Sequence, residues 1–232
     1  MKTKKITKKS MQISSENREV KIKICGMKYA ENMEAVAHLE PDYLGFIFWE
    51  PSERVFTGDL GSISSAIKRV GVFVNTPLDE IIQKVLEFNL QAIQLHGKES
   101  PRFCKDLTEN HTIRQLGNLE IIKVFSIKDD FDFSILAEYE PFCDYFLFDT
   151  KGRLPGGNGY TFSWEVLKNY PSTKPFFLSG GIGLEDVEKI TNFLKRPESQ
   201  YCYAIDVNSK FEIEPGRKQI DKLNTFLKLL RK

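Results

Sequence analysis

The sequence predicts an α/β fold, a single eight-stranded parallel (β/α)8 barrel preceded by a short polar tail. Three observations point there: eight short β-rich segments recur along the chain, amphipathic stretches separate them, and little sequence is left over for a second domain. Strands that alternate with helices imply parallel pairing, because a parallel neighbour is reached only through a long crossover. Eight such units in about 190 residues suit a compact barrel, for which roughly 200–250 residues is usual. An open doubly wound sheet is the competing architecture, and eight regular units without a second domain favour closure.

Residues 1–19 carry Lys2, Lys4, Lys5, Lys8 and Lys9 among polar neighbours and no apolar stretch, so they read as a solvated tail and not a secretory signal. Glu16 and Glu19 weaken an organelle-targeting reading. The barrel domain is expected over residues 20–232. Strands are expected at 20–25, 43–48, 70–74, 91–95, 121–125, 145–149, 175–179 and 203–207, each rich in β-branched, aromatic or other apolar residues. Helical patterns fall at 30–39, 78–89, 101–110, 185–194 and 218–230.

Composition excludes several classes. The 232 residues hold 33 basic and 32 acidic side chains, a net charge of +1, which argues against a dedicated nucleic-acid binder. No apolar run reaches the roughly 18 residues that span a bilayer, so no membrane partner is expected. At 41% hydrophobic the chain can fill a sizeable core. Cys25, Cys104, Cys143 and Cys202 show no C-x-x-C spacing, which reads as a reduced, cytoplasmic protein and not a disulfide framework. His38, His96 and His111 lack metal-ligand spacing, so no metal is expected.

In a parallel barrel the chemistry sits where strands end at the C-terminal face. Cys25-Gly26, His96-Gly97, Asp149-Thr150, Ser179-Gly180-Gly181 and Asp206-Val207-Asn208-Ser209 all lie at or just beyond strand ends. Period-two alternation puts Lys23 and Cys25 on one face and Ile22 and Ile24 on the other. If the large apolar residues pack on the helices, Cys25, Gln94, Asp149 and Asp206 face the axis and converge at one mouth. A thiol and a carboxyl so placed can divide base and acid work, with Lys23 as the cation beside the thiol. Taken alone, a buried cysteine is more often an inert small hydrophobe. Asp149 is harder to dismiss, because an acid closing an apolar strand is costly without a role. Cys104, Cys143 and Cys202 lie away from strand mouths and read as structural.

The run Leu178-Ser179-Gly180-Gly181-Ile182-Gly183 follows a strand and opens a helix, where backbone N–H groups can approach a phosphate. Tight turns explain many such glycine runs as well. The segment from Gly152 to Tyr160 reads as a mobile lid or a plain surface loop. Arg54 lies beyond the second strand, where a guanidinium can grip a carboxylate with two hydrogen bonds or simply face solvent.

These motifs resemble the phosphoribosylanthranilate isomerase family. Lys21-Ile22-Lys23-Ile24-Cys25-Gly26, Leu44-Gly45-Phe46-Ile47-Phe48, Val70-Gly71-Val72-Phe73-Val74-Asn75, Gln94-Leu95-His96-Gly97 and Phe148-Asp149-Thr150 occur in family order. Gly156-Gly157-Asn158-Gly159, Leu178-Ser179-Gly180-Gly181 and Ile205-Asp206-Val207-Asn208-Ser209 complete the series. The resemblance implies an Amadori rearrangement of N-(5-phosphoribosyl)anthranilate to 1-(2-carboxyphenylamino)-1-deoxyribulose 5-phosphate in tryptophan biosynthesis, without a cofactor. It implies Asp149 as general acid, Cys25 as general base and Arg54 as holder of the anthranilate carboxylate. Gly180, Gly181, Asn208 and Ser209 are implied at the phosphate, and Asp206 in substrate positioning.

One departure stands out: Asn208-Ser209-Lys210 replaces the family's usual Ser-Ser-Gly. Lysine there either crowds the loop or assists the phosphate, and the sequence leaves both open. Two other sugar-phosphate barrels compete: the histidine-pathway isomerase, which uses two aspartates, and indole-glycerol-phosphate synthase, which lacks this first strand. A barrel that binds a phosphate ligand without catalysis is the alternative from another class. The expected partner is the phosphosugar-anthranilate substrate, and the protein is expected to be a monomer or homodimer.

Overall fold

The computed structural model describes residues 19–61, 63–128, 130–150 and 163–231. The expected basic tail, apart from Glu19, and the glycine-rich segment from Gly152 to Tyr160 lie outside the described residues.

Eight parallel strands close into a barrel in sequence order: β1 (Lys21–Ile24), β2 (Tyr43–Ile47), β3 (Lys68–Phe73), β4 (Ala92–Leu95), β5 (Glu120–Ile127), β6 (Tyr145–Thr150), β7 (Phe176–Leu178) and β8 (Cys202–Val207). Closure is through β1 and β8, with Lys23 beside Asp206 and Ile24 beside Val207. All eight expected strands are present, most within a residue or two of their expected bounds.

Alternation along these strands builds two cores. Tyr43, Val70, Ala92, Ile122, Val124, Leu147, Phe177 and Ala204 fill the barrel interior. The opposite parity, including Ile22, Ile24, Leu44, Phe46, Ile93, Phe146, Phe148 and Ile205, packs outward under the helices. The interior is thus a packed plug, as small barrels require, and it leaves chemistry only at the strand ends. At the N-terminal mouth Tyr43 donates to Glu120 (3.1 Å), which also pairs with Lys68.

The outer layer is less regular than the strands. Helices α1 (Ala30–Ala37), α2 (Leu78–Glu87), α3 (Pro101–Glu109), α4 (His111–Leu116), α5 (Val187–Leu194) and α6 (Ile220–Leu230) follow β1, β3, β4, β7 and β8, two of them after β4. Ser100 caps α3 by accepting from the Phe103 N–H, just before Pro101 supplies a preset φ. Asn110 caps α4 through the Thr112 and Ile113 N–H groups. After β5 and β6 the covering turns are 3-10 helices, Phe133–Glu138, Glu140–Phe142 and Trp164–Asn169. Large rings suffice there: Phe125, Phe131, Phe133, Phe148, Tyr170 and Phe176 interlock, mostly edge to face. After β2 the chain forms turns whose Phe56 is buried against Phe46 and whose backbone returns to Ile47.

The helix expected from residue 218 begins later, at Ile220. Arg217 and Lys218 instead form β10 (Arg217–Lys218), antiparallel to β9 (Glu212–Glu214). Lys218 is drawn inward because Asn32 holds its backbone on both sides, through N–H (2.7 Å) and C=O (2.9 Å).

Candidate active site

At the C-terminal face the strand ends surround an open-mouthed cleft. Cys25, Gln94, His96, Asp149, Ser179, Gly180, Gly181, Asp206, Asn208, Ser209 and Lys210 all line it. The parity argument accounts for Cys25, Gln94, His96, Asp149 and Asp206, which continue the inward face of their strands, while the loops after β7 and β8 bring the other residues.

Cys25 stands beyond β1 at the junction with β2. A Cβ built on Gly45 would lie 2.7 Å from the Cys25 Sγ, so only glycine at that point of β2 leaves room for the thiol. Lys23, one inward position below, is fully buried and donates to Asp206 Oδ2 (2.9 Å). Burial disfavours the ammonium, but the Asp206 carboxylate and the Cys25 sulfur outweigh it and hold Lys23 above its ordinary value. For Cys25 burial wins: the thiol is pushed up, with Lys23 and then Lys218 pulling against the shift.

Asp149 closes β6 across the cleft, with its Oδ2 3.4 Å from His96 Nε2. Gln94, two residues before His96 on the same inward face, approaches His96 Nδ1 at 3.1 Å. This contact leaves His96 Nε2 as the ring nitrogen that faces Asp149. Among the described residues, three buried polar atoms at this site, Gln94 Oε1, His96 Nε2 and Asp206 Oδ1, make no hydrogen bond, the Asp149 contact of His96 being an ion-pair distance only. Buried groups of this kind ordinarily find partners, so they mark places where a polar ligand completes the site.

The loops after β7 and β8 form the third side. Gly180 (φ +100°) and Gly181 (φ +68°) occupy the left-handed region, where other residues are strained. Gly183 N–H donates to Asp186 Oδ2 (2.8 Å), which fixes the entry to α5. Among the described residues no cluster of three His, Cys, Asp or Glu side chains converges at metal-binding distance.

Of the residues singled out in the sequence, Cys25, Asp149, Asp206, Gly180, Gly181, Asn208 and Ser209 meet in the cleft, and Arg54 does not line it. Its guanidinium instead donates to Glu212: Nε to Oε1 (3.0 Å) and Oε2 (2.9 Å), Nη2 to Oε2 (2.7 Å). Its Cδ lies 3.0 Å from a Cβ built on Gly26, so it packs over the turn that follows Cys25. Glu212 also accepts from Lys218 (2.7 Å), whose Nζ reaches Asn208 Oδ1 (2.6 Å). Burial would raise Glu212, but Arg54 and Lys218 hold its carboxyl below the usual range. Two basic side chains share one carboxylate there, and burial holds Lys218 below its ordinary value. Glu212 and Lys218 escaped the sequence reading because no strand-end motif marks them. His96 had a signal, its parity with Gln94, but was given no role.

The chain resembles known proteins over most of its length. Residues 22–229 match the family model described as N-(5'-phosphoribosyl)anthranilate (PRA) isomerase. An N-(5'-phosphoribosyl)anthranilate isomerase of Parabacteroides distasonis is 43% identical over 212 residues, 89% of this chain and 91% of the relative. Among solved structures, the phosphoribosyl anthranilate isomerase of Thermotoga maritima superposes with a TM-score of 0.77 at 28% identity, over 91% of this chain and 98% of that one. A phosphoribosyl anthranilate isomerase in complex with reduced 1-(o-carboxyphenylamino)-1-deoxyribulose 5-phosphate superposes at 0.73 with 26% identity, over the same shares. With the strand-end residues, the closed barrel and these matches all in agreement, the chain belongs to the phosphoribosylanthranilate isomerase family.

Proposed function

We propose that the protein isomerises N-(5'-phosphoribosyl)anthranilate to 1-(2-carboxyphenylamino)-1-deoxyribulose 5-phosphate, in the cytoplasm and as a step of tryptophan biosynthesis. The observation that carries this reading is the placement of Cys25 and Asp149 on the wall of one cleft, within a chain of this family. Asp149 protonates the furanose ring oxygen, the ring opens to a Schiff base, and Cys25 removes the proton from C2. The enolamine then tautomerises to the ketone. Both proton transfers occur within a single bound substrate, so the rate gain comes from positioned acid and base.

Lys23 stabilises the thiolate that Cys25 must become, and its buried pairing with Asp206 keeps the ammonium in place. The unpartnered Asp206 Oδ1 and Gln94 Oε1 accept from substrate hydroxyls. Gly180, Gly181, Asn208 and Ser209 receive the phosphate. For Arg54 to take the anthranilate carboxylate, its guanidinium turns from Glu212 toward the cleft. Expression in a tryptophan auxotroph that lacks this isomerase tests the reading: growth without tryptophan is expected, and failure of a soluble, expressed protein to restore growth counts against it.

A further inference from the structure

Lys210 is where this chain departs from its family, and its surroundings choose between the two readings the sequence leaves open. Crowding is not what the lysine does. It lies in a 3-10 turn, Ser209–Phe211, and is not among the residues with positive φ, so the backbone there tolerates a side chain. The cleft stays open beside it, with Lys210 as part of its wall together with Gly180, Gly181, Asn208 and Ser209.

Among the described residues the ammonium has one acidic partner at ion-pair distance. Lys210 Nζ lies 3.5 Å from Glu185 Oε1, a long contact between side chains that are 35% and 59% exposed. Such a pair is weak, since water competes for both ends. It does span the two loops that make this corner: Glu185 lies in the 3-10 turn Leu184–Asp186 after the β7 glycines, and Lys210 in the turn Ser209–Phe211 after β8. Glu185 is held below the usual carboxylate range by a backbone hydrogen bond and, more weakly, by Lys210, so it is an anion at neutral pH. An incoming phosphate therefore meets a cation that attracts it and an anion that repels it, already facing one another.

We propose that Lys210 is a phosphate-binding residue held in reserve by Glu185, and that the phosphate takes over the ammonium by displacing the Glu185 carboxylate. This deepens the isomerase reading and rests on its placement of the phosphate in this corner. Lys210 adds a charge to a corner where Lys222 already donates to the Lys210 carbonyl (2.7 Å). Glu185 sets how much of that charge reaches the ligand. Because both side chains are substantially exposed, the contribution weakens as salt rises.

The test is calorimetric titration of the full chain with inorganic phosphate at low ionic strength, in wild type, Lys210→Met and Glu185→Gln. Lys210→Met is expected to weaken phosphate binding roughly three- to ten-fold, the range of one charge-assisted contact at a partly exposed site. Glu185→Gln is expected to tighten it about two-fold, because the competing carboxylate is gone. Opposite signs are the signature, since a general structural disturbance weakens binding in both variants. Wild-type affinity in Lys210→Met, weakening in both variants, or no phosphate binding by wild type overturns the proposal. Turnover of N-(5'-phosphoribosyl)anthranilate by the same wild-type preparation separates the two claims. Activity without a Lys210 effect removes only this inference, and a Lys210 effect without activity removes only the isomerase reading.

Discussion

Cys25 presents a conflict between position and task. Burial raises the thiol, while a base must shed its proton, and Lys23 is the first group that works against burial. If Cys25 is the base proposed above, kcat/KM should climb with pH, and the climb should extend above the ordinary thiol range. Lys23→Met removes the nearest cation and should move that limb further alkaline, with kcat/KM at neutral pH falling roughly ten-fold or more. A pH–rate profile of both proteins, with thermal melts to confirm folding, checks this; an unmoved limb in a folded variant contradicts Lys23's role. Gly45 makes a second claim at this scale. Its alanine variant places a methyl carbon against the Cys25 sulfur and should lower kcat more than it lowers stability. Activity assays beside denaturant melts separate the two effects. Cys25 and Asp149 were legible in the sequence because strand parity fixes their direction. Gly45 was visible as part of a motif, but its reason, a neighbouring sulfur 2.7 Å from its missing Cβ, exists only after β1 and β2 pair.

Between residue and barrel lies the β9–β10 ribbon, which carries Glu212 and Lys218 and so supports both Arg54 and Asn208. Glu212→Gln strips the shared anion from two cations, one of them fully buried. It should cost about 3 kcal/mol of stability, the range for breaking a buried ion pair from one side. It should also raise KM, because Arg54 loses the partner that orients it. The pH dependence follows from the same pair. Glu212 is depressed in the folded protein, so its stabilisation is present above the carboxyl's unfolded value and is lost as pH falls through the lower folded value. Wild type should lose more stability on acidification than Glu212→Gln, which urea melts across that range will show. None of this was readable in advance: the sequence pattern ran Lys218 into the following helix, since a lysine beside an amphipathic stretch looks like a solvated helix residue. What overrides the pattern is tertiary, the two Asn32 hydrogen bonds and a buried carboxylate 2.7 Å away.

For the molecule as a whole, order along the chain became order around the barrel. The eight strands could be placed because each combines β-forming composition with a turn signal, and closure followed from their number and regularity. Among the described residues the outer layer is not α-helical after β2, β5 and β6, where the sequence shows no helical period and ring packing covers the barrel instead. Phe148, fully buried within that aromatic layer, is the position where this matters most. Phe148→Ala should destabilise by about 3–5 kcal/mol, as large core truncations do, and calorimetric unfolding will register it. The barrel's larger consequence is the meeting of Cys25 and Asp149, far apart in sequence and carried by β1 and β6. The most direct measurement is the initial rate at which purified protein consumes N-(5'-phosphoribosyl)anthranilate, followed by the loss of its fluorescence, in wild type, Cys25→Ala and Asp149→Ala. Wild type should turn over, and each variant should lose roughly 10²–10⁴-fold in kcat while still binding a product analogue. Near-normal turnover in either folded variant would contradict the account.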